Sequence, residues 1–105
     1  MLVVFDKEYL QELYTKGSSK DKKHRFQPQI VKIFILTIQL LKRVPNVMEL
    51  TRYGGLHYEH LIGDKDGFSS IRINNQYRIE FKETILEGKS IAEVVNITDI
   101  SNHHQ

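Results

Sequence analysis

The sequence predicts an α+β fold, with two N-terminal helices packed on a small, mostly antiparallel sheet in the order β-α-α-β-β-β. Three observations carry that expectation. Residues 28–43 repeat apolar side chains at helical spacing, residues 61–81 alternate as a hairpin does, and short apolar runs at Leu2–Phe5 and Ile91–Thr98 read as strands. At 105 residues the chain supports one domain, residues 1–105, with a modest core. A composition of 40% hydrophobic and 27% charged residues is ordinary for a globular protein and argues against general disorder.

Leu2–Phe5 is the first strand. Asp6 is placed to cap a helix from Lys7 to about Lys16, and Gly17 to stop it, because glycine takes the left-handed conformation that ends helices. Tyr9, Leu10, Leu13 and Tyr14 make a narrow stripe, so this helix packs by one edge. Ser18 to Gln27 is polar and basic and reads as a loop. Pro28 opens the second helix, where a missing N–H costs nothing, and the helix runs from about Gln29 to Arg43. Ile30, Phe34, Ile38 and Leu41 repeat along it, widened by Val31, Ile35 and Leu40, so this is the main core helix. Val44 precedes Pro45, which disfavours further helix; a short turn is expected at Asn46–Arg52 and a break at Gly54-Gly55.

The hairpin is the most informative stretch. Phe68–Ile73 and Tyr77–Phe81 flank Asn74-Asn75-Gln76, and asparagine tolerates the left-handed backbone of tight turns. A two-residue loop would mix apolar and charged groups on both faces. A three-residue loop sorts them, with Ile71, Ile73, Tyr77, Ile79 and Phe81 on one face and Ser70, Arg72, Arg78 and Glu80 on the other. Burial of one face selects the sorted register. Arg72 and Arg78 then stand opposite each other, which is unfavourable unless Glu80, Asp64, Asp66 or an anionic ligand offsets them. Beyond the hairpin, Lys82–Lys89 reads as a polar loop. Ile91–Thr98, dense around Val94-Val95, reads as an interior strand buried on both faces, and Asp99–Gln105 as a polar tail.

Charge and composition narrow the function classes. There is no cysteine, so disulfides and thiolate chemistry are out, which fits a reducing compartment. The apolar start MLVVFDKEY is too short for a signal peptide or membrane anchor, and no run of about 18 apolar residues exists for a spanning helix, so a cytoplasmic protein is expected. The net charge of +2 is unevenly placed: Lys16, Lys20, Lys22, Lys23 and Arg25 cluster before the second helix. That run is either a solvated face or an arm for an anionic partner. His57 and His60 are candidate proton carriers, since histidine titrates near neutrality, and two histidines without a third ligand do not make a zinc site. Phe68 falls on the arginine face and can stack on a base.

The string with Leu61, Gly63, Asp64 and Gly67 followed by Ser70–Phe81, SIRINNQYRIEF, resembles the HigB-like toxins of the RelE/ParE superfamily. Their typical string is Leu-Lys-Gly-Asp followed by Ser-(Ile/Val)-Arg-(Ile/Val)-Asn-x-Gln-(Trp/Tyr)-Arg-Ile-x-Phe. The resemblance implies a RelE-like fold and the toxin of a type II toxin–antitoxin pair. Such a toxin enters the ribosomal A site and cleaves mRNA without metal or other cofactor, by attack of the RNA's own 2′-OH on the adjacent phosphate. A cognate helix-turn-helix antitoxin would neutralise it. Carried over position by position, Arg78 and Arg72 face phosphate, His57 and Asp99 move protons, and His60 stands where a lysine is common. Lys22, Lys23, Arg25 and Phe68 are candidate RNA contacts read from the residues themselves.

The chain departs from that pattern in two places. Ile62 replaces the usual lysine, and Asp99 is followed by Ile100 and Ser101 where the family has Tyr and His. Histidines return at His103 and His104, and His103 is the candidate for the missing role. The same fold admits two other activities: a ParE-like inhibitor of DNA gyrase, which needs no acid or base, and a degraded toxin that only holds its antitoxin.

Overall fold

The computed structural model describes residues 1–87 and 91–102. The strands are β1 (Leu2–Phe5), β2 (Glu59–His60), β3 (Ser69–Arg72), β4 (Tyr77–Glu87) and β5 (Ile91–Asn102); the helices are α1 (Glu8–Lys16) and α2 (Pro28–Arg43). One sheet holds all five strands in the order β1-β5-β4-β3-β2. Every pairing is antiparallel except β1 with β5. The expected α+β layout holds, with β2 and several single-turn 3₁₀ segments added to it.

Both helices cover one face of the sheet. Leu10 and Leu13 of α1 and Phe34, Ile38 and Leu41 of α2 pack with Ile71, Ile79, Phe81, Val95 and Ile97, all essentially without exposure. The α2 stripe is the predicted one, starting with Pro28 in its first turn. The 3₁₀ turn Val47–Arg52 closes the bottom of the core through Val47 and Leu50, capped by Asn46, whose side chain accepts from Glu49 N–H at 3.1 Å. Among the described residues no α-helix covers the other face of the sheet.

Several boundaries differ from expectation. Asp6 does not cap α1: the N-cap is Lys7, without a side-chain hydrogen bond, and Asp6 N–H donates to the Ile97 carbonyl at 2.8 Å, extending the β1–β5 ladder. The polar run expected to loop from Lys82 continues β4 to Glu87, because β5 supplies a partner for each residue (Lys82 to Asn96, Glu87 to Ile91). Residues 88–90 lie outside the described residues. β5 is interior by position but buried on one face only: Val95 and Ile97 are buried, while Val94, Asn96 and Thr98 on the other side are half-buried. It also runs on through Asn102, so most of the expected tail belongs to the sheet.

Gly17 ends α1 at φ +76°, its N–H donating to Leu13 O at 3.0 Å. No atom lies within 4 Å of where a Cβ would stand, so the position requires glycine for its backbone and not for space. Gly17→Ala is expected to cost about 1 kcal/mol and to lower the melting temperature by roughly 4–8 °C in a calorimetric scan. An unchanged melting temperature would mean that the helix end relaxes into another conformation.

Candidate active site

The hairpin adopts the sorted register. Ile71 pairs with Ile79 and Arg72 with Arg78. Ile73 N–H donates to Tyr77 O at 2.9 Å just beyond the end of β3, so residues 74–76 close the turn, and the Asn74 side chain accepts from the N–H groups of Gln76 and Tyr77 at 2.9 and 2.7 Å. Two rows of side chains therefore cross the uncovered face. One contains Glu59, Ser70, Glu80 and Asp99, directly paired across β2-β3-β4-β5; the next contains Arg72, Arg78 and Ser101.

A bulge in β5 brings Asp99 to that row. Glu80 pairs with Asp99 but Phe81 with Ile97, leaving Thr98 as the extra residue. Strict alternation after Val95 and Ile97 would drive Asp99 into the core. The inserted residue reverses the phase, so Ile100 is buried and Asp99 faces outward. Thr98 Oγ1 fixes the irregularity by donating to Glu80 O at 3.1 Å.

The rows border a cleft of about 570 Å³ whose walls include Glu59, Lys65, Ser70, Arg78, Glu80 and Asp99, with Arg72 and His57 outside its lining. The Arg78 side chain is only 12% exposed; its Nη1 stands 3.0 Å from Glu59 Oε1 and donates to Ser70 Oγ at 3.2 Å. Arg72 donates from Nη1 to His57 Nε2 at 3.1 Å, which leaves that ring nitrogen unprotonated in this contact. His57 reaches it from a left-handed backbone at φ +48°, a strained choice for a non-glycine residue and one that recurs at functional sites. Among the described contacts Glu59 pairs with Arg78 and His57 accepts from Arg72, while Glu80 pairs with Lys65. Glu80 is itself buried at 7% exposure and has the Lys65 ammonium 3.1 Å from Oε1, close enough to pair but not aligned as a hydrogen bond.

Asp99 is held from the first helix. Tyr9 donates its hydroxyl proton to Asp99 Oδ1 and accepts from Ile100 N–H at 3.1 Å, and Lys7 Nζ lies 3.8 Å from the other carboxylate oxygen. Burial first, and then the bond to Asp99, push the Tyr9 phenol far above its ordinary range. His24 stacks on the Tyr9 ring at 3.8 Å and pairs through Nδ1 with Asp21 at 3.0 Å. That hydrogen bond, followed by one from Lys23 N–H, holds the Asp21 carboxyl below its usual value.

Not every anticipated residue meets the cleft. His60 lies on the helix-covered face, since it pairs with Ser69 and through it with Phe81. Its Nδ1 is 3.0 Å from Ser69 Oγ, which donates to Glu83 Oε1 at 3.2 Å; Tyr58 donates to the same oxygen at 2.6 Å. Burial and then Glu83 push the Tyr58 phenol up to about 12. Lys22, Lys23 and Arg25 are exposed in the loop before α2, outside the cleft walls. Phe68 precedes β3 instead of opening it, with Lys82 and Lys65 ammonium groups 4.5 and 5.5 Å from its ring centroid. His103 lies outside the described residues. Glu59, Lys65, Lys7 and Tyr9 went unassigned in the sequence; only the parity of Glu59 with Arg78 could have been read there, and only by knowing that β2 pairs with β3.

Comparison with known proteins fits this architecture. The family model for HigB-like toxins, RelE-like toxins of the type II toxin–antitoxin system HigB, matches residues 3–100. Toxin HigB-1 of Vibrio cholerae serotype O1 is 30% identical over 83 residues, covering 78% of this chain and 83% of the relative. Among solved structures, a YoeB/ParE toxin from Agrobacterium tumefaciens superposes with a TM-score of 0.61 at 19% identity, covering 99% of this chain and 100% of that one, a likeness of fold. With its sorted hairpin, its arginine-bearing open face and a family match over nearly its whole length, the chain belongs to the HigB-like family of RelE-like toxins of type II toxin–antitoxin systems.

Proposed function

We propose that this toxin is a ribosome-dependent endoribonuclease that cuts translated mRNA in the cytoplasm. The observation that carries the reading is the Arg78 guanidinium, nearly buried in the wall of an open cleft beside a second arginine, on the face of the sheet that no helix covers. Guanidinium groups fit phosphate in a bidentate manner, and partial burial strengthens their effect on charge that develops in a transition state. In the reaction, the RNA 2′-oxygen bonds to the adjacent phosphorus and the bond to the 5′-oxygen breaks, leaving a cyclic phosphate and a 5′-hydroxyl. Arg78 and Arg72 stabilise the crowded phosphate. His57 and Asp99 are the candidates for taking the 2′-OH proton and returning one to the leaving oxygen. His103 keeps its place only as a candidate from the sequence. The cognate antitoxin, with a helix-turn-helix domain, is the partner that would silence the toxin.

The test is primer extension on cellular mRNA after brief induction without antitoxin. New 5′ ends should fall inside translated codons and vanish from the same message when its start codon is destroyed. Intact mRNA in arrested cells would overturn the reading and turn attention to gyrase.

A further inference from the structure

A second depression of about 260 Å³ adjoins the cleft on the open face, over the β4–β5 pair. The two share Lys65, Glu80 and Asp99 as a common wall. Beyond that wall the second hollow is lined by Asp6, Lys7, Lys82, Phe68, Asn96 and Thr98. Two of its three carboxylates are engaged, Asp99 by Tyr9 and Lys7 and Glu80 by Lys65, while Asp6 is exposed to water. Lys82 is exposed, with its ammonium 4.5 Å from the Phe68 ring centroid, and Lys65 approaches the same ring at 5.5 Å. Two ammonium groups thus gather over one aromatic ring, with an amide and a hydroxyl alongside.

We infer that this hollow is a second RNA subsite, which takes the phosphodiester next to the one in the Arg78 cleft. Lys82 supplies the charge, with Lys65 held beside it by Glu80, Asn96 supplies a hydrogen bond, and Phe68 presents a face to the neighbouring base once the Lys82 ammonium turns from the ring to the phosphate. A strand leaving the cleft crosses Lys65 and enters the hollow without a break. The ligand class is a single-stranded RNA backbone, for which a lysine and aromatic surface is suited. The inference extends the nuclease reading and rests on it for the identity of the strand, though its binding test does not need cleavage.

The test uses the full chain and ribosomes programmed with a message whose A-site codon is 2′-deoxy substituted, so binding is read without cutting. Lys82→Ala should weaken binding about fivefold at 0.1 M salt and make the slope of log K against log salt shallower by about 0.7, the signature of one lost phosphate contact on a single strand. Lys82→Glu should weaken it further and Lys82→Arg should retain it. On an all-ribose message the saturated single-turnover rate should stay within about twofold, as expected when binding is lost uniformly. A message ending at the A-site codon separates the sources: a penalty that disappears assigns the phosphate to the message, and one that persists assigns it to ribosomal RNA. Unchanged affinity in folded Lys82→Glu overturns the subsite. Wild-type protein that binds with the Lys82 dependence but leaves the ribose message whole upholds the subsite and overturns the nuclease reading.

Discussion

Replacing Arg78 by alanine is expected to lower the rate of mRNA cleavage about 10²–10³-fold, the loss seen when a group that stabilises transition-state charge is removed. The arginine sits at the centre of the second row, across from Arg72 and against Ser70. The fold should survive. Glu59, its carboxylate partner, has a side chain 51% exposed and can turn to water, so little stability depends on that pair. Arg78→Lys should recover only part of the rate, because an ammonium cannot present two parallel N–H donors to one phosphate. Primer extension and a melting curve on the same variant decide the matter. Full cleavage by a folded Arg78→Ala protein would remove this residue from the chemistry.

The largest loss of stability is expected from Phe34→Ala. Phe34 has no exposure and lies midway along α2, facing the strands that carry the site. Truncating a buried phenylalanine costs about 3–5 kcal/mol through lost transfer energy and the cavity left behind. A domain of this size is stable by only about 5–15 kcal/mol in total, so the variant should be largely unfolded a little above room temperature. Urea unfolding followed by circular dichroism measures the shift directly. A cost below about 1 kcal/mol would mean that α2 closes over the gap and that the core is more plastic than its packing suggests.

The legible and illegible parts of the fold divide along a physical line. Wherever one periodicity met one buried face, the sequence sufficed: the α2 stripe, the stop at Gly17 and the register that sets Arg72 against Arg78 all follow from alternation and burial. Where pairing, not polarity, decides the structure, local reading failed. Lys82–Glu87 is mostly polar and becomes strand because β5 lies beside it. Two-residue β2 carries no periodicity at all, and with it went the assignment of Glu59 as the arginine's partner and the placing of His60 on the covered face. The bulge at Thr98 changes which residues of β5 face the cleft, and its trace in the sequence was only the odd step from Ile97 to Ile100. The link from Tyr9 to Asp99 spans ninety positions, and nothing local announces it. The family resemblance was accurate on the family.

The position of β5 has a consequence for the order of synthesis. It stands between β1 and β4, which have no direct pairing, so β1 must wait for β5 before it joins the sheet. A ribosome makes the protein from its N-terminus, and every element that β5 unites leaves the exit tunnel before β5 does. Until then Asp99 is not yet present, the uncovered face has no fourth strand and Tyr9 has no carboxylate to hold. The nascent chain is therefore without a finished cleft until β5 has emerged and paired with β4 and β1.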